Sequence, residues 1–223
     1  MSAAGLAYQR FDSHGRQEWM MRIGEAGAPP VLFVPPLFEE MNRTRALLAA
    51  AMRRLAELGH GCWLVDLAGT GESEAALASV KWDDWRHDVG AAAAEVEKES
   101  GRAPLVASTR GGCLIDDAAA ATGWWRFAPV AGASLARDMV RAGLAGVEWA
   151  GYAPAPELRG RLEDAAPLDH SPLRVVRLQS DAGAAAAKLA GPALWRRSEP
   201  GRSAELAETI AADIASWYRQ CAD

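Results

Sequence analysis

From residue 31 onward, short continuous apolar runs alternate with longer stretches of helical period, and this alternation constrains the fold more than any other feature. The runs are Val31–Val34, Cys62–Leu67, Pro104–Ala107, Phe127–Ala131, Leu173–Leu178 and Ala193–Arg196. Runs apolar on both faces suit parallel strands covered by helices on each side of a sheet. Between them, Asn42–Leu58 carries Leu47, Leu48, Met52, Leu55 and Leu58 on one face and stops at Gly59, a glycine placed as a C-cap. Trp82–Ser100 opens with acids in its first turn and stops at Gly101. Gly111–Thr122 and Ser203–Cys221 complete the helices; Leu206, Ile210, Ile214 and Trp217 give the last one its apolar stripe. Strand, helix, strand, helix is the pattern of a doubly wound α/β fold. Tyr8–Ile23 precedes it as two antiparallel edge strands joined at Ser13-His14-Gly15. Trp124-Trp125 reads as a helix end, and Ala91–Ala94 and Ala184–Ala187 read as helix filler.

The rhythm breaks between Gly132 and His170. A helical piece at Ser134–Ala142, an extended piece at Val147–Tyr152 and a helix after Pro154 and Pro156 form a short lid-like insertion, about 132–170, over the carboxyl edge of the sheet. Open α/β sheets keep their sites at that edge. The expected organisation is one domain spanning residues 1–223, a length suited to one large core.

Composition removes several classes. There are 29 acidic against 24 basic residues and no long basic block, so nucleic-acid binding has no electrostatic support. No apolar run approaches the ~20 residues of a membrane span. The first residues lack a basic start followed by an apolar stretch, and Cys62, Cys113 and Cys221 are few and far apart. A cytoplasmic protein with neither a disulfide framework nor a metal cluster is expected. No phosphate loop, dinucleotide fingerprint or zinc motif is present, so no metal and no cofactor is expected.

Three loops follow strands at the carboxyl edge: Pro35-Pro36-Leu37-Phe38-Glu39-Glu40-Met41-Asn42-Arg43, Asp66-Leu67-Ala68-Gly69-Thr70-Gly71-Glu72-Ser73, and Ser108-Thr109-Arg110-Gly111-Gly112. Their order is that of an α/β-hydrolase. The runs VLFVPPLFEEMNRTR (Val31–Arg45), VDLAGTGES (Val65–Ser73) and KWDDWRHDV (Lys81–Val89) resemble the second family of exosortase-associated α/β-hydrolases, and AGYAPAPEL (Ala150–Leu158) is similar to a late segment of it. The resemblance covers about residues 30–160 well and the remainder loosely. It implies an α/β-hydrolase fold with a mostly parallel sheet, and a place beside bacterial exopolysaccharide and exosortase systems. It supplies no substrate.

A serine hydrolase of this fold needs G-x-S-x-G at the strand-to-helix elbow. Here the nucleophile slot is Arg110, a guanidinium that stays protonated and cannot attack. Ser108 stands in the first glycine slot. The triad histidine belongs near Trp195–Pro200, where there is none; His14, His60, His87 and His170 lie elsewhere. Asp181, after Leu173–Leu178, stands where a triad aspartate would, and one member of three is not a triad. The catalytic candidates are therefore Asp181, Ser108 and Glu40.

Arg110 has two readings. It is a charge neutralised by a nearby acid, or an anion receptor together with the N–H groups of Gly111 and Gly112. Glu39 and Glu40 either face the dipole at the start of helix Asn42–Leu58 or pair with Arg110, with Glu40 the expected partner. Ser73 is a turn residue or a ligand contact. The ligand-binding set is Arg110, Gly111, Glu39, Glu40, Asn42 and Ser73. Cys113 is a core thiol or a nucleophile, and its place inside a packed helix favours the core. Two functions stay open: an atypical ester or thioester hydrolase or acyl transferase without a triad, and a ligand-binding or accessory protein. The partners considered are a small-molecule, acyl or anionic ligand and a second copy of the chain.

Overall fold

Each central strand buries both faces, and successive side chains go to opposite sides of the sheet. In the computed structural model, which describes residues 5–142, 149 and 151–222, Val31 and Phe33 pack with Cys62, Leu64, Leu105 and Ala107 on one face. Leu32 and Val34 pack with Trp63, Val65 and Val106 on the other. The strands are β1 (Leu6–Ser13), β2 (Arg16–Ile23), β3 (Pro30–Val34), β4 (Gly61–Val65), β5 (Leu105–Thr109), β6 (Gly123–Phe127), β7 (Leu173–Leu178) and β8 (Ala187–Leu189). They form one sheet in the order β1-β2-β4-β3-β5-β6-β7-β8. β2 runs antiparallel to β1 and β4, and the pairs from β4 to β8 are parallel. This is the doubly wound, mostly parallel α/β arrangement expected from the alternation.

The helices are α1 (Glu39–Glu57), α2 (Trp82–Ser100), α3 (Gly132–Ala142), α4 (Pro156–Asp164) and α5 (Ala204–Ala222). α1 and α5 cover one face: Leu47, Leu48, Met52 and Leu55 meet Leu206, Ile210 and Ile214 over the strands. Leu58, counted in the apolar stripe, is 50% exposed just past the helix end. α2, α3 and α4 contribute to the opposite core. The Asp84 carboxylate accepts the Lys81 N–H at 2.8 Å at the start of α2, and Gly101 ends it at φ +75°. No helix among the described residues is long and apolar enough to cross a membrane.

Three local expectations are corrected. Gly111–Thr122 is not an α-helix: it forms two short 3₁₀ turns, Arg110–Leu114 and Asp116–Ala118, separated by Ile115 at φ −130°, ψ −2°. Asp116 is turned into the core to meet Arg126 and Ser108, and that tertiary demand overrides weak helix propensity in a segment opened by two glycines. The strand expected at Phe127–Ala131 is Gly123–Phe127, so Trp124-Trp125 is strand and not a helix end. Its Arg126 is buried only because Asp116 neutralises it. The last strand is Ala187–Leu189, beginning at the final residue of the alanine run read as helix filler; Leu194–Arg196 is a single 3₁₀ turn instead.

The insertion is packed down onto the body. Trp149, Leu158 and Leu162 are buried in the α2-side core. Trp149 and Tyr152 exchange backbone hydrogen bonds of 3.0 and 2.9 Å, and both rings lie edge-on to Phe38, 5.6 and 5.5 Å away. The insertion thus sits over the loop that follows β3. Of the extended piece expected at Val147–Tyr152, positions 147, 148 and 150 lie outside the described residues.

Candidate functional site

The end of β5 turns sharply. Thr109 is extended, and Arg110 takes φ +53°, a left-handed conformation unfavourable by roughly 1–2 kcal/mol for a side-chain-bearing residue. The turn is tight because the next residues are glycines. A Cβ on Gly112 would lie 2.4 Å from the Pro35 carbonyl oxygen and 2.7 Å from that of Val34. A Cβ on Gly111 would meet Leu135 at 2.7 Å and Leu37 at 3.0 Å. The β5 elbow and the β3 loop are therefore in direct backbone contact. The β3 loop has its own left-handed residue, Phe38 at φ +55°, immediately before α1.

This double turn brings Arg110 and the first turn of α1 together. Nε of Arg110 donates to both carboxylate oxygens of Glu40, at 3.2 and 3.1 Å, and Nη2 donates to Oε1 at 2.8 Å. The two residues are 7% and 5% exposed. The ion pair expected with Glu40 is present and bidentate. Two residues not singled out in the sequence complete it: the Trp195 ring lies 5.0 Å from the guanidinium carbon, and Asp138 approaches Nη2 at 3.6 Å from α3. Burial pushes the Glu40 carboxyl up, against the pull of Arg110. A cleft of about 360 Å³ opens beside the pair, between Glu39, Arg43, Asp138, Arg141 and Trp195.

Glu39 is turned away from Arg110. It pairs with Arg43 at 3.4 Å and accepts from Asn42 Nδ2 at 2.9 Å, without capping the helix. Asn42 Nδ2 also reaches the Tyr152 hydroxyl at 2.9 Å. Ser73 Oγ accepts the N–H groups of Gly69 and Ala75, at 3.0 and 3.2 Å, in the turn after β4.

Ser108 is fully buried. Its hydroxyl donates to Asp116 Oδ2 at 2.5 Å and lies 3.3 Å from the Cys113 sulfur, while Asp116 takes a two-point contact from Arg126 at 2.8 and 2.7 Å. This closed network lies beneath the elbow, with no route to solvent for the hydroxyl. Cys113 is equally buried, its thiol pushed up to about 12 by burial and by Asp116, which suits a core thiol. The network was missed in the sequence, although a charged residue inside the strand run GWWRF was a signal that an acid must come to it.

Asp181 sits in the turn after β7. Its carboxylate accepts the Gly183 N–H at 2.9 Å and pairs with Arg177 at 2.8 Å; against a burial penalty these two hold the carboxyl below the usual range. No histidine joins it. His14 stacks on His87, His60 contacts the Pro29 carbonyl, and His170 stacks on Trp124 at the opposite end of the strands. Among the described residues no histidine hydrogen-bonds to Asp181, Ser108 or Arg110, and no cluster of three His, Cys, Asp or Glu could hold a metal ion.

No protein-family model matches the chain, and no curated protein matches it in sequence. Solved structures do match in shape. The α/β hydrolase domain-containing protein 10 from mouse superposes with a TM-score of 0.63 at 15% identity, over 97% of this chain and 99% of that one. A putative hydrolase from Agrobacterium vitis gives 0.59 at 12% identity, over 96% and 98%. The thioesterase domain from the curacin biosynthetic pathway gives 0.58 at 14% identity, over 96% and 99%. At these identities the likeness is one of fold, and it spans nearly the whole chain. The chain has the α/β-hydrolase fold, with an arginine at the elbow that follows its β5 strand.

Proposed function

We propose that this protein is an α/β-hydrolase-fold member without Ser-His-Asp catalysis, acting as a ligand-binding or accessory protein of an exopolysaccharide or exosortase system. The observation that carries the loss of catalysis is the Arg110–Glu40 pair. In this fold the elbow residue attacks and the β3 loop helps to hold the oxyanion. Here the elbow side chain is a cation, and its buried counter-ion occupies the space before it. Ser108, with its hydroxyl committed to Asp116, supports the same reading. Asp181 has no histidine to orient. The accessory role rests on the resemblance of Val31–Arg45 and Lys81–Val89 to the exosortase-associated family. The test is a fluorophosphonate activity probe together with p-nitrophenyl esters and acyl thioesters. No serine labelling and no turnover above a heat-treated control are expected. Labelling, or turnover abolished by Ser108→Ala, would overturn the reading.

The second reading, an ester or thioester hydrolase with Glu40 as general base, rests on the upward push that burial gives the Glu40 carboxyl. It requires thioester turnover that disappears in Glu40→Gln while the fold is kept.

A further inference from the structure

Four arginines of this chain are each met by a carboxylate at two points. Arg110 meets Glu40, Arg126 meets Asp116, Arg86 meets Asp117 at 2.6 and 2.6 Å, and Arg174 meets Asp213 at 2.8 and 2.8 Å. Arg45 is different. Among the described residues its one polar contact is a single, long 3.4 Å approach to Asp66 Oδ1. A charge-assisted bond is ordinarily 2.7–2.9 Å, so most of this guanidinium's donor capacity is unspent. It is two-thirds shielded, with 32% of the side chain exposed.

Arg45 lines a cavity of about 200 Å³ on the far side of the β3 loop from the Arg110 cleft. Pro35, Pro36, Leu37, Met41 and Leu67 form apolar walls, and Tyr152 reaches in from the insertion. Because Asn42 Nδ2 donates to the Tyr152 oxygen, the phenolic hydrogen is left to donate elsewhere. Burial pushes this hydroxyl up, with Glu39 adding to it, so it stays protonated at neutral pH. Asp66 is no competitor for the space: it is 2% exposed, held by the Glu72 N–H at 3.2 Å and packed against Gly71, whose absent side chain admits it. Thr70 and Ser73 also line the cavity, but their hydroxyls are engaged with the backbone of the turn after β4, so Arg45 and the Tyr152 hydroxyl remain as donors beside the apolar walls.

The geometry points to this cavity as a binding site for a small carboxylate with a short apolar body, its charge on Arg45 and Tyr152 and its chain against Pro35, Leu37 and Met41. Its volume of about 200 Å³ suits a small acid of four or so carbons. Inorganic phosphate shares the anionic chemistry but would leave the apolar floor unfilled. This inference rests on the ligand-binding reading and moves the anion site from Arg110, whose charge Glu40 already meets, to Arg45.

The test is titration of the full chain with butyrate, followed by calorimetry or ligand-observed NMR. Saturable binding in the millimolar range is expected for so few atoms. Neutral butyramide should bind at least about tenfold more weakly, and Arg45→Met should lose at least about tenfold. Tyr152→Phe, which keeps the ring packing, should lose severalfold. No saturable butyrate binding, equal binding of butyramide, or an unchanged affinity in both variants would overturn the inference. Tighter binding of glucose or inorganic phosphate than of butyrate would overturn the assigned ligand class. Esterase activity is read separately: turnover would remove the non-catalytic reading and leave butyrate binding standing, whereas absent butyrate binding would remove only this site.

Discussion

Replacing Arg110 by alanine removes the one full counter-charge of Glu40 and leaves a carboxylate 5% exposed. Breaking a buried ion pair from one side costs about 3–5 kcal/mol, because the remaining charge keeps its desolvation penalty and loses its partner. Alanine inherits the left-handed backbone at φ +53°, so Arg110→Gly should be less damaging by roughly 1 kcal/mol. The double variant Arg110→Met/Glu40→Leu removes both charges and should recover most of the loss. Acid adds an independent check. Burial raises the folded-state ionisation of Glu40 above its unfolded value, more so once Arg110 is gone. A raised carboxyl favours the folded state below the unfolded pKa, about 4.3, and loses that advantage as pH rises through the folded pKa. The Arg110→Ala deficit relative to wild type should therefore be full at pH 7 and shrink on moving towards about pH 4.5. Urea unfolding at both pH values measures it. A deficit under about 1 kcal/mol at pH 7 would place the pair in effectively aqueous surroundings. A deficit indifferent to acid would refute the argument that a stranded carboxylate causes it.

Three further outcomes are expected. Gly112→Ala should destabilise by about 3 kcal/mol or leave no folded protein, since its Cβ would sit 2.4 Å from the Pro35 carbonyl; near-normal urea unfolding would mean that the two loops can separate. Asp213 is held below the usual carboxylate range by Arg174 and the Trp125 N–H against its burial cost, so its contribution is present above the unfolded pKa and lost as pH falls through the folded one. Asp213→Asn should cost about 1 kcal/mol at pH 7, and the difference should fade below about pH 4; a pH-independent cost would point to packing alone. Cys113, buried with its thiol at about 12, should resist iodoacetamide in the folded protein and react after urea; rapid native labelling, located by peptide mass, would contradict the core assignment.

Sequence alone determined the elements whose pattern is local. The both-faces-apolar runs at β3, β4 and β5, the hairpin of β1 and β2, the 3.6-residue stripes of α1 and α5, and the acidic start and glycine stop of α2 were legible because each is a pattern among near neighbours that records which face meets a core or where an element ends. The slot occupied by Arg110 was legible too, because a strand followed by a tight glycine turn constrains the chain over five residues. Its counter-ion was reachable by charge economy: a covered guanidinium needs an acid, and the nearest loop carried two. Tertiary structure decided what depended on distant partners. The segment after the elbow gave up its helix because Asp116 had to reach Arg126 across the sheet. β6 included Arg126 for the same reason, and no local pattern marks a charge as burial-ready before its partner is known. β8 begins at Ala187, the last residue of an alanine run that favours helix, since a short parallel pairing with β7 outweighed intrinsic propensity. Trp195 over Arg110, Asp138 beside it, and Tyr152 in the cavity that Arg45 lines come from segments far apart along the chain. Such contacts arise from the sum of many packing choices, and the distance between residues in space is not written in their spacing in sequence.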